Sequence, residues 1–188
     1  MKKHHRIFIA INLPPEVKRF LSGYKKKWPG LPARWTTEKN LHITLVFLGY
    51  LTDWALGEIC IVTKEVVKNH YPFNINLNKI SYGPFGKIPP PMIWAGGDKS
   101  KELSSLKKDL EESFLEKINF APENMKFKPH ITLARINPSQ WRQIEPEERP
   151  YIDKNIGLNF TVESIEVTES VLRRTDPEYS IIESHNLK

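Results

Sequence analysis

Two histidine–threonine pairs are the residues of this chain best suited to chemistry. His42 and Thr44 lie in the segment LHITLVFLG, and His130 and Thr132 lie in the segment KPHITLARI. An imidazole titrates near pH ~6.5, so one neutral and one protonated histidine are accessible together near neutrality. A threonine hydroxyl can donate a hydrogen bond to a phosphoryl oxygen. The two pairs could therefore supply a proton acceptor, a proton donor and two anion contacts, a set that can cleave a phosphodiester.

The repetition of the pair carries more weight than either copy. A single histidine in a strand is more often a hydrogen-bonded structural residue than a catalyst. The repeated letters HITL are also weak evidence, because about 17,000 position pairs against about 160,000 possible tetrapeptides give roughly a one-in-ten chance match. Two polar pairs placed among buried apolar residues are costly, however, unless they serve a purpose. Their matching contexts therefore favour a functional role for both.

Both motifs lie in β-branched and apolar runs bounded by turn residues, a composition typical of strands. Successive side chains of a strand point to opposite faces, so each histidine shares a face with its threonine. Ile43 and Leu45, like Ile131 and Leu133, are expected to point the other way, into the core. Each strand should thus present one imidazole beside one hydroxyl on an apolar anchor.

The remaining patterns predict an α+β fold with largely antiparallel strands. Further strands are predicted at 6–13, 33–36, 73–80, 92–95, 158–171 and 179–184. Helices are predicted from Pro14-Pro15-Glu16 onward, over 53–69 with Thr52 or Asp53 as N-cap, and over 101–118; loops are predicted at 83–91 and 137–153. The expected architecture is two related lobes whose sheets face each other across a cleft, with helices outside and one His-Thr pair on each wall.

Length and composition indicate one globular domain over residues 1–188. The chain has 188 residues, of which 39% are hydrophobic and 27% charged. Its single cysteine, Cys60, excludes an internal disulfide and a cysteine-rich zinc site, and it fits a cytoplasmic protein. No stretch is long and apolar enough to span a membrane. The net charge of +6 favours polyanionic partners, although lysine-rich surfaces are common.

The motifs and their flanks resemble the two-histidine phosphoesterase superfamily, and most of all its RNA 2′,3′-cyclic phosphodiesterases, historically called 2′-5′ RNA ligases. The flanks are Phe47-Leu48-Gly49 and Leu133-Ala134-Arg135. The resemblance continues at 6–11, 33–35, 93–96 and, weakly, at 169–172 and 179. It implies a bilobed, pseudo-twofold fold, and hydrolysis of the terminal 2′,3′-cyclic phosphate of RNA or nucleotides to a 2′-phosphate. A monomer is expected.

The resemblance also implies roles for the motif residues. It makes His42 the proton donor to the leaving 3′ oxygen and His130 the base that activates water, whereas the near-identical motifs leave this assignment open. Thr44 and Thr132 would contact the phosphate. No metal or other cofactor is expected, because both motifs lack the nearby carboxylates of a metal site. Two alternatives stay open: 2′-5′ joining of RNA halves, and a non-catalytic nucleotide- or RNA-binding module.

Phe47 and Arg135 occupy equivalent positions after the two histidines, at an odd offset from them. Strict alternation would therefore turn both away from the His-Thr face, making Phe47 a core residue and Arg135 a surface residue. The resemblance instead implies that Arg135 contacts the phosphate and that Phe47 carries the terminal base. A bulge or sharp twist after Leu45 and Leu133 would reconcile the two readings. We expect Arg135 to reach the phosphate site between the histidines.

The sequence gives weaker evidence of a functional role for several other residues. Trp35, Trp94 and Trp141 could stack a base, but aromatic residues in strands are usually core, and core is favoured for Trp94. The basic pairs Arg173-Arg174 and Lys126/Lys128 are about equally consistent with RNA contacts and with solvated surface. Lys25-Lys26-Lys27 are explained as cations at a helix C-terminus. The four remaining histidines are interpreted as bystanders: His4, His5, His70 and His185.

Overall fold

The computed structural model describes residues 4–118, 120–122, 127–173 and 177–188. Within these residues the strands are β1 (His4–Asn12), β2 (Ala33–Trp35), β3 (His42–Thr52), β4 (Phe73–Gly83), β5 (Met92–Gly97), β6 (His130–Ile136), β7 (Asp153–Val162), β8 (Ser164–Val171) and β9 (Glu178–Asn186). The α-helices are α1 (Pro15–Ser22), α2 (Asp53–Val67), α3 (Lys101–Lys117) and α4 (Pro138–Arg142). Among the described residues, no helix is long and apolar enough to cross a bilayer.

The strands form an antiparallel sheet in the order β7-β4-β5-β6-β3-β1-β8-β9, with β2 added beside β6. The two motif strands, β3 and β6, lie side by side at the centre, and a single paired position, Ile43 with Ile131, joins them. Each half of the sheet therefore places its motif strand innermost. The predicted α+β class and antiparallel arrangement are confirmed, and the two expected sheets meet in one ladder at this position.

The apolar residues that alternate with the motif side chains lie in the core, as predicted. Ile43 and Ile131 are fully buried, and Leu45 and Leu133 are nearly so. Buried residues of α2 and α3 belong to the same cluster, among them Ile59, Val62, Leu106, Leu110 and Phe114. Burying one such side chain contributes about 1.5–3 kcal/mol. The two helices thus anchor the motif strands from the face opposite the histidines.

Both motif strands contain a bulge at the same place. Along β1 and β3, Ala10 pairs with Thr44 while Ile9 pairs with Val46, so Leu45 has no partner of its own. Along β5 and β6, Trp94 pairs with Thr132 while Ile93 pairs with Ala134, which leaves Leu133 as the extra residue. Each bulge shifts the alternation by one position. The irregularity expected after Leu45 and Leu133 is therefore present in both strands.

Two local predictions are wrong. The segment 137–153 was expected to be a surface loop, but it contains α4, whose start is capped by the Asn137 side chain and whose Trp141 is buried. Asn137 followed by Pro138 matches the pattern of a helix start. Residues 158–171 are not one strand either: β7 ends at Val162 and β8 begins at Ser164. The chain there crosses from one half of the sheet to the other, which a local pattern of hydrophobicity cannot show.

Candidate active site

The two histidine rings are held in the same way. Nδ1 of His42 donates a hydrogen bond to the backbone oxygen of Asn40 over 2.7 Å, and Nδ1 of His130 donates to that of Lys128 over 2.8 Å. A carbonyl can only accept, so Nδ1 carries the proton of each neutral ring. The Nε2 atom is therefore the one suited to acid–base work. In His42 it lies 3.0 Å from Oγ1 of Thr44.

Asn40 links the His42 side of the site to the C-terminal part of the chain. It is buried, and its side-chain amide donates to the backbone oxygen of Pro177 over 2.8 Å. Pro177 lies just before β9, which carries Tyr179. The residue that orients the His42 ring thus also fixes the segment that packs Tyr179 against it.

Aromatic rings surround each histidine differently. The His42 ring packs against Phe8, at a centroid distance of 4.9 Å, and against Tyr179, at 5.3 Å, and these two rings also contact each other at 5.2 Å. The His130 ring stacks on Trp94 at 3.9 Å with 26° between the planes. A Cβ atom at position 83 would overlap the indole, so Gly83 allows Trp94 to lie where it does.

Burial lowers the pKa of His42 to about 4, against the raising effect of its hydrogen bond to Asn40. The neighbouring cations Lys18 and Arg135 act in the same direction as burial. His42 is consequently neutral at pH 7. An anion bound beside the ring would favour the charged imidazolium. Such an anion would therefore favour a form of His42 that can donate a proton.

One pocket contains all six residues singled out by the sequence: His42, Thr44, Phe47, His130, Thr132 and Arg135. Because of the bulges, Phe47 and Arg135 lie on the same side as the His-Thr pairs rather than on the opposite face. Phe47 is 36% exposed and is therefore not a core residue. The roles of the six stay predictions, since their placement alone assigns no chemistry.

The pocket is electropositive. Arg6 and Arg34 line it together with Arg135, and its described lining contains no aspartate or glutamate. Arg34 lies directly opposite Arg135 in the pairing of β2 with β6. Like charges at facing positions destabilise a sheet, and a bound anion would offset this repulsion. The Arg6 guanidinium lies 4.7 Å from the Phe47 ring centre and donates to Oγ of Ser170 over 3.0 Å.

Sequence reasoning missed several members of the site. Phe8, Arg6, Arg34 and Tyr179 lie within segments that carried the family resemblance, but nothing local indicated a role for them. The expectation that Trp94 is core is wrong, since its half-buried ring lies on His130. Of the other two candidate tryptophans, Trp35 lines the pocket and Trp141 is buried in the core.

The other predicted candidates lie elsewhere. Lys126 and Arg174 fall outside the described residues, and Arg173 pairs with Glu178. Three of the four bystander histidines contact carboxylates outside the pocket: His5 with Asp53 and Glu169, His70 with Asp109, and His185 with Glu183. In the part of the chain that the structure covers, no group of three or more His, Cys, Asp or Glu residues is arranged to hold a metal ion.

Two His-x-Thr motifs on adjacent central strands of an antiparallel sheet define a two-histidine phosphoesterase fold, the class that the sequence predicted. The chain belongs to the 2′-5′ RNA ligase superfamily, whose sequence profile matches residues 14–173.

Similar proteins support this placement. An RNA 2′,3′-cyclic phosphodiesterase of Geobacillus stearothermophilus is 34% identical over 95% of this chain, which spans about half (54%) of that protein's length. One of Thermotoga maritima is 30% identical over 94% of this chain and 92% of its own. The crystal structure of TT0787 of Thermus thermophilus superposes with a TM-score of 0.83, at 25% identity and with 97% of each chain covered.

Proposed function

We propose that this protein is an RNA 2′,3′-cyclic phosphodiesterase that opens a terminal cyclic phosphate to a 2′-phosphomonoester. The observation that carries the proposal is the pair of histidines, each held through Nδ1 by a backbone carbonyl, in one pocket with three arginines. The two bacterial relatives, both RNA 2′,3′-cyclic phosphodiesterases, supply the substrate class.

In the proposed reaction, His130 accepts a proton from water through Nε2 while the water oxygen forms a bond to phosphorus. The bond between phosphorus and the ribose 3′ oxygen breaks, and His42, protonated in the complex, donates its proton to that oxygen. The products are a 3′-hydroxyl and a 2′-phosphate. Proton transfer by a positioned side chain typically contributes about 10²- to 10⁴-fold.

The remaining pocket residues stabilise the charge on the phosphoryl oxygens. Thr44 and Thr132 each offer a hydroxyl, and Arg135 offers a guanidinium with two parallel donors. The Nε2–Thr44 distance of 3.0 Å places this hydroxyl beside the atom that gives up the proton. A phosphate bound there is therefore contacted next to its leaving oxygen.

The test is incubation with an oligonucleotide that ends in a 2′,3′-cyclic phosphate, with and without EDTA, followed by mass spectrometry and phosphatase digestion. We expect a 2′-phosphate product in both samples. Circular or lengthened products would indicate ligation instead, and binding without turnover would indicate a non-catalytic module. Loss of activity in EDTA, restored by a divalent ion, would contradict the two-histidine mechanism.

A further inference from the structure

A row of stacked aromatic rings leads away from the pocket. The pocket-lining Trp35 stacks on Trp28 at 6.3 Å with 5° between the ring planes, and Trp28 stacks on Tyr24 at 5.9 Å with 24°. Trp28 and Trp35 are both half-buried, so part of each indole reaches the surface. The row ends at the 3₁₀ turn Gly23–Lys27, which we call the lysine turn.

The three lysines of this turn lie at a helix end, as the sequence predicted. They occupy the last turn of the 3₁₀ helix Gly23–Lys27, which directly follows α1, and all three are exposed. Within the described residues none of them forms an ion pair, whereas Lys68, Lys79 and Lys108 each pair with a carboxylate. The Lys27 ammonium lies 4.9 Å over the Tyr24 ring. Three adjacent cations that have no ion pair with any described residue make a local site for a polyanion.

The pocket and the lysine turn share a continuous surface. A second recess is lined by Lys25, and it shares Trp35, Thr36 and Thr37 with the histidine pocket. Glu38 also lines this recess and accepts a hydrogen bond from Ser22 over 2.9 Å. Arg34 lies exposed beside Trp35 and lines the pocket itself. A chain whose end occupies the pocket can therefore leave along the tryptophans toward the lysines.

We propose that the lysine turn and the Trp28–Trp35 stack bind the single-stranded RNA that precedes the cyclic phosphate end. This inference rests on the proposed function, since it names the body of the same substrate. A groove of cations with interleaved aromatic rings is how proteins hold single strands without reading sequence, because phosphates meet the cations and unstacked bases meet the rings. A base beside Trp35 would extend the stack. A cyclic mononucleotide would fill the pocket without reaching the lysines.

The test compares the variant K25Q/K26Q/K27Q with wild type, and with K101Q/K108Q/K117Q as a matched control that removes three exposed lysines of α3. Binding is measured by fluorescence anisotropy with non-hydrolysable 3′-phosphate oligonucleotides, from a dinucleotide to a dodecamer. For the longer strands we expect the lysine-turn variant to lower the slope of log affinity against log salt by about 2, at about 0.7 per lost phosphate contact. The control should match wild type.

Equal behaviour of the two triple variants would overturn the inference, and so would a lysine effect that is as large for a duplex as for a single strand. Turnover of a 2′,3′-cyclic mononucleotide separates this result from the proposed function. If the wild-type protein hydrolyses neither the mononucleotide nor a cyclic-phosphate oligonucleotide, the proposed function fails, while the length-dependent binding still decides the RNA surface. If the wild-type protein is active, the KM of long substrates should rise in the lysine-turn variant with kcat unchanged.

Discussion

His42 and His130 occupy equivalent places in the two halves of the sheet, yet their environments differ. Both donate through Nδ1 to the carbonyl two residues back, and both precede a bulged leucine. His42 is enclosed by Phe8 and Tyr179, whereas His130 stacks on Trp94. The shared motif thus sets the backbone geometry, and strands distant in sequence set the surroundings of each ring.

The two halves also differ at the residue two positions after each bulged leucine. Phe47, in the His42 half, lies beneath the Arg6 guanidinium, while Arg135, in the other half, has its Nη1 3.3 Å from Sδ of Met92. One half therefore offers an aromatic ring and the other a cation from the same motif position. An asymmetric substrate such as a nucleotide, with a base on one side and a phosphate on the other, suits such a pair.

Removal of each imidazole in turn should have the largest effect on activity. His42→Gln and His130→Gln should each lower kcat/KM for a cyclic-phosphate substrate by about 10²- to 10⁴-fold. The double variant should lose little more than the worse single variant, because groups that act as a unit are not additive. Circular dichroism should show an intact fold. Near wild-type turnover by either single variant would remove the acid–base assignment.

A second prediction concerns pH and stability. Burial lowers the pKa of His42 to about 4, from 6.5 in the unfolded chain. Between these values the unfolded state binds the proton and the folded state does not, so stability falls as pH drops through this window. The loss should be about 3 kcal/mol, and His42→Gln should abolish it.

Urea unfolding of wild type and His42→Gln at several pH values between 4 and 6.5 measures this difference. The His42 ring proton followed by NMR gives the pKa directly, and inorganic phosphate should raise it. A His42 that titrates at its ordinary value in the empty protein would contradict the proposed effect of burial.

Arg135→Lys tests the cation of the second half. The substitution keeps the charge but loses the planar fork, so kcat/KM should fall by about 10- to 100-fold for every substrate, whatever its terminal base. Phe47→Leu is the matched change in the first half, and its effect should depend on the base. Arg142→Lys, on the exposed end of α4, is the control. A base-dependent loss in Arg135→Lys would reverse the two assigned roles.

Gly83→Ala should produce a smaller effect that is confined to the His130 half. A methyl group at position 83 overlaps the Trp94 indole, so the ring must move and the stack on His130 loosens. We expect about a 10-fold loss of kcat and a shifted limb of the pH–rate profile that belongs to the base. Gly57→Ala, where a Cβ meets nothing within 4 Å, is the control. An unchanged pH–rate profile would show that Trp94 does not position His130.

Thr44→Ala and Thr132→Ala should be milder than the loss of either histidine if their hydroxyls only contact the phosphate, at about 1–3 kcal/mol of transition-state binding each. Thr44 also contacts Nε2 of His42, while Thr132 Oγ1 lies 3.9 Å from Sδ of Met92. Thr44→Ala should therefore shift the pH dependence and Thr132→Ala should not. The same shift in both variants would remove this distinction between the halves.

The sequence by itself determined the motif strands, the shared face of each His-Thr pair, the main helices and the family. These follow from local periodicity and residue chemistry, which act within a few positions of the chain. The sequence also contains a signal of the bulges. Leu45-Val46 and Leu133-Ala134 are consecutive apolar residues, all of them buried, and they interrupt strict alternation.

Only the tertiary structure decided which side chains meet the histidines. Phe8 arrives on β1, Trp94 on β5 and Tyr179 on β9, and their neighbours in space depend on the order of strands in the sheet. The same holds for the low pKa of His42, which arises mainly from burial, with Phe8 and Tyr179 packed against the ring, rather than from its own motif. Strand order and burial are properties of long-range pairing, and no local pattern in the chain contains them.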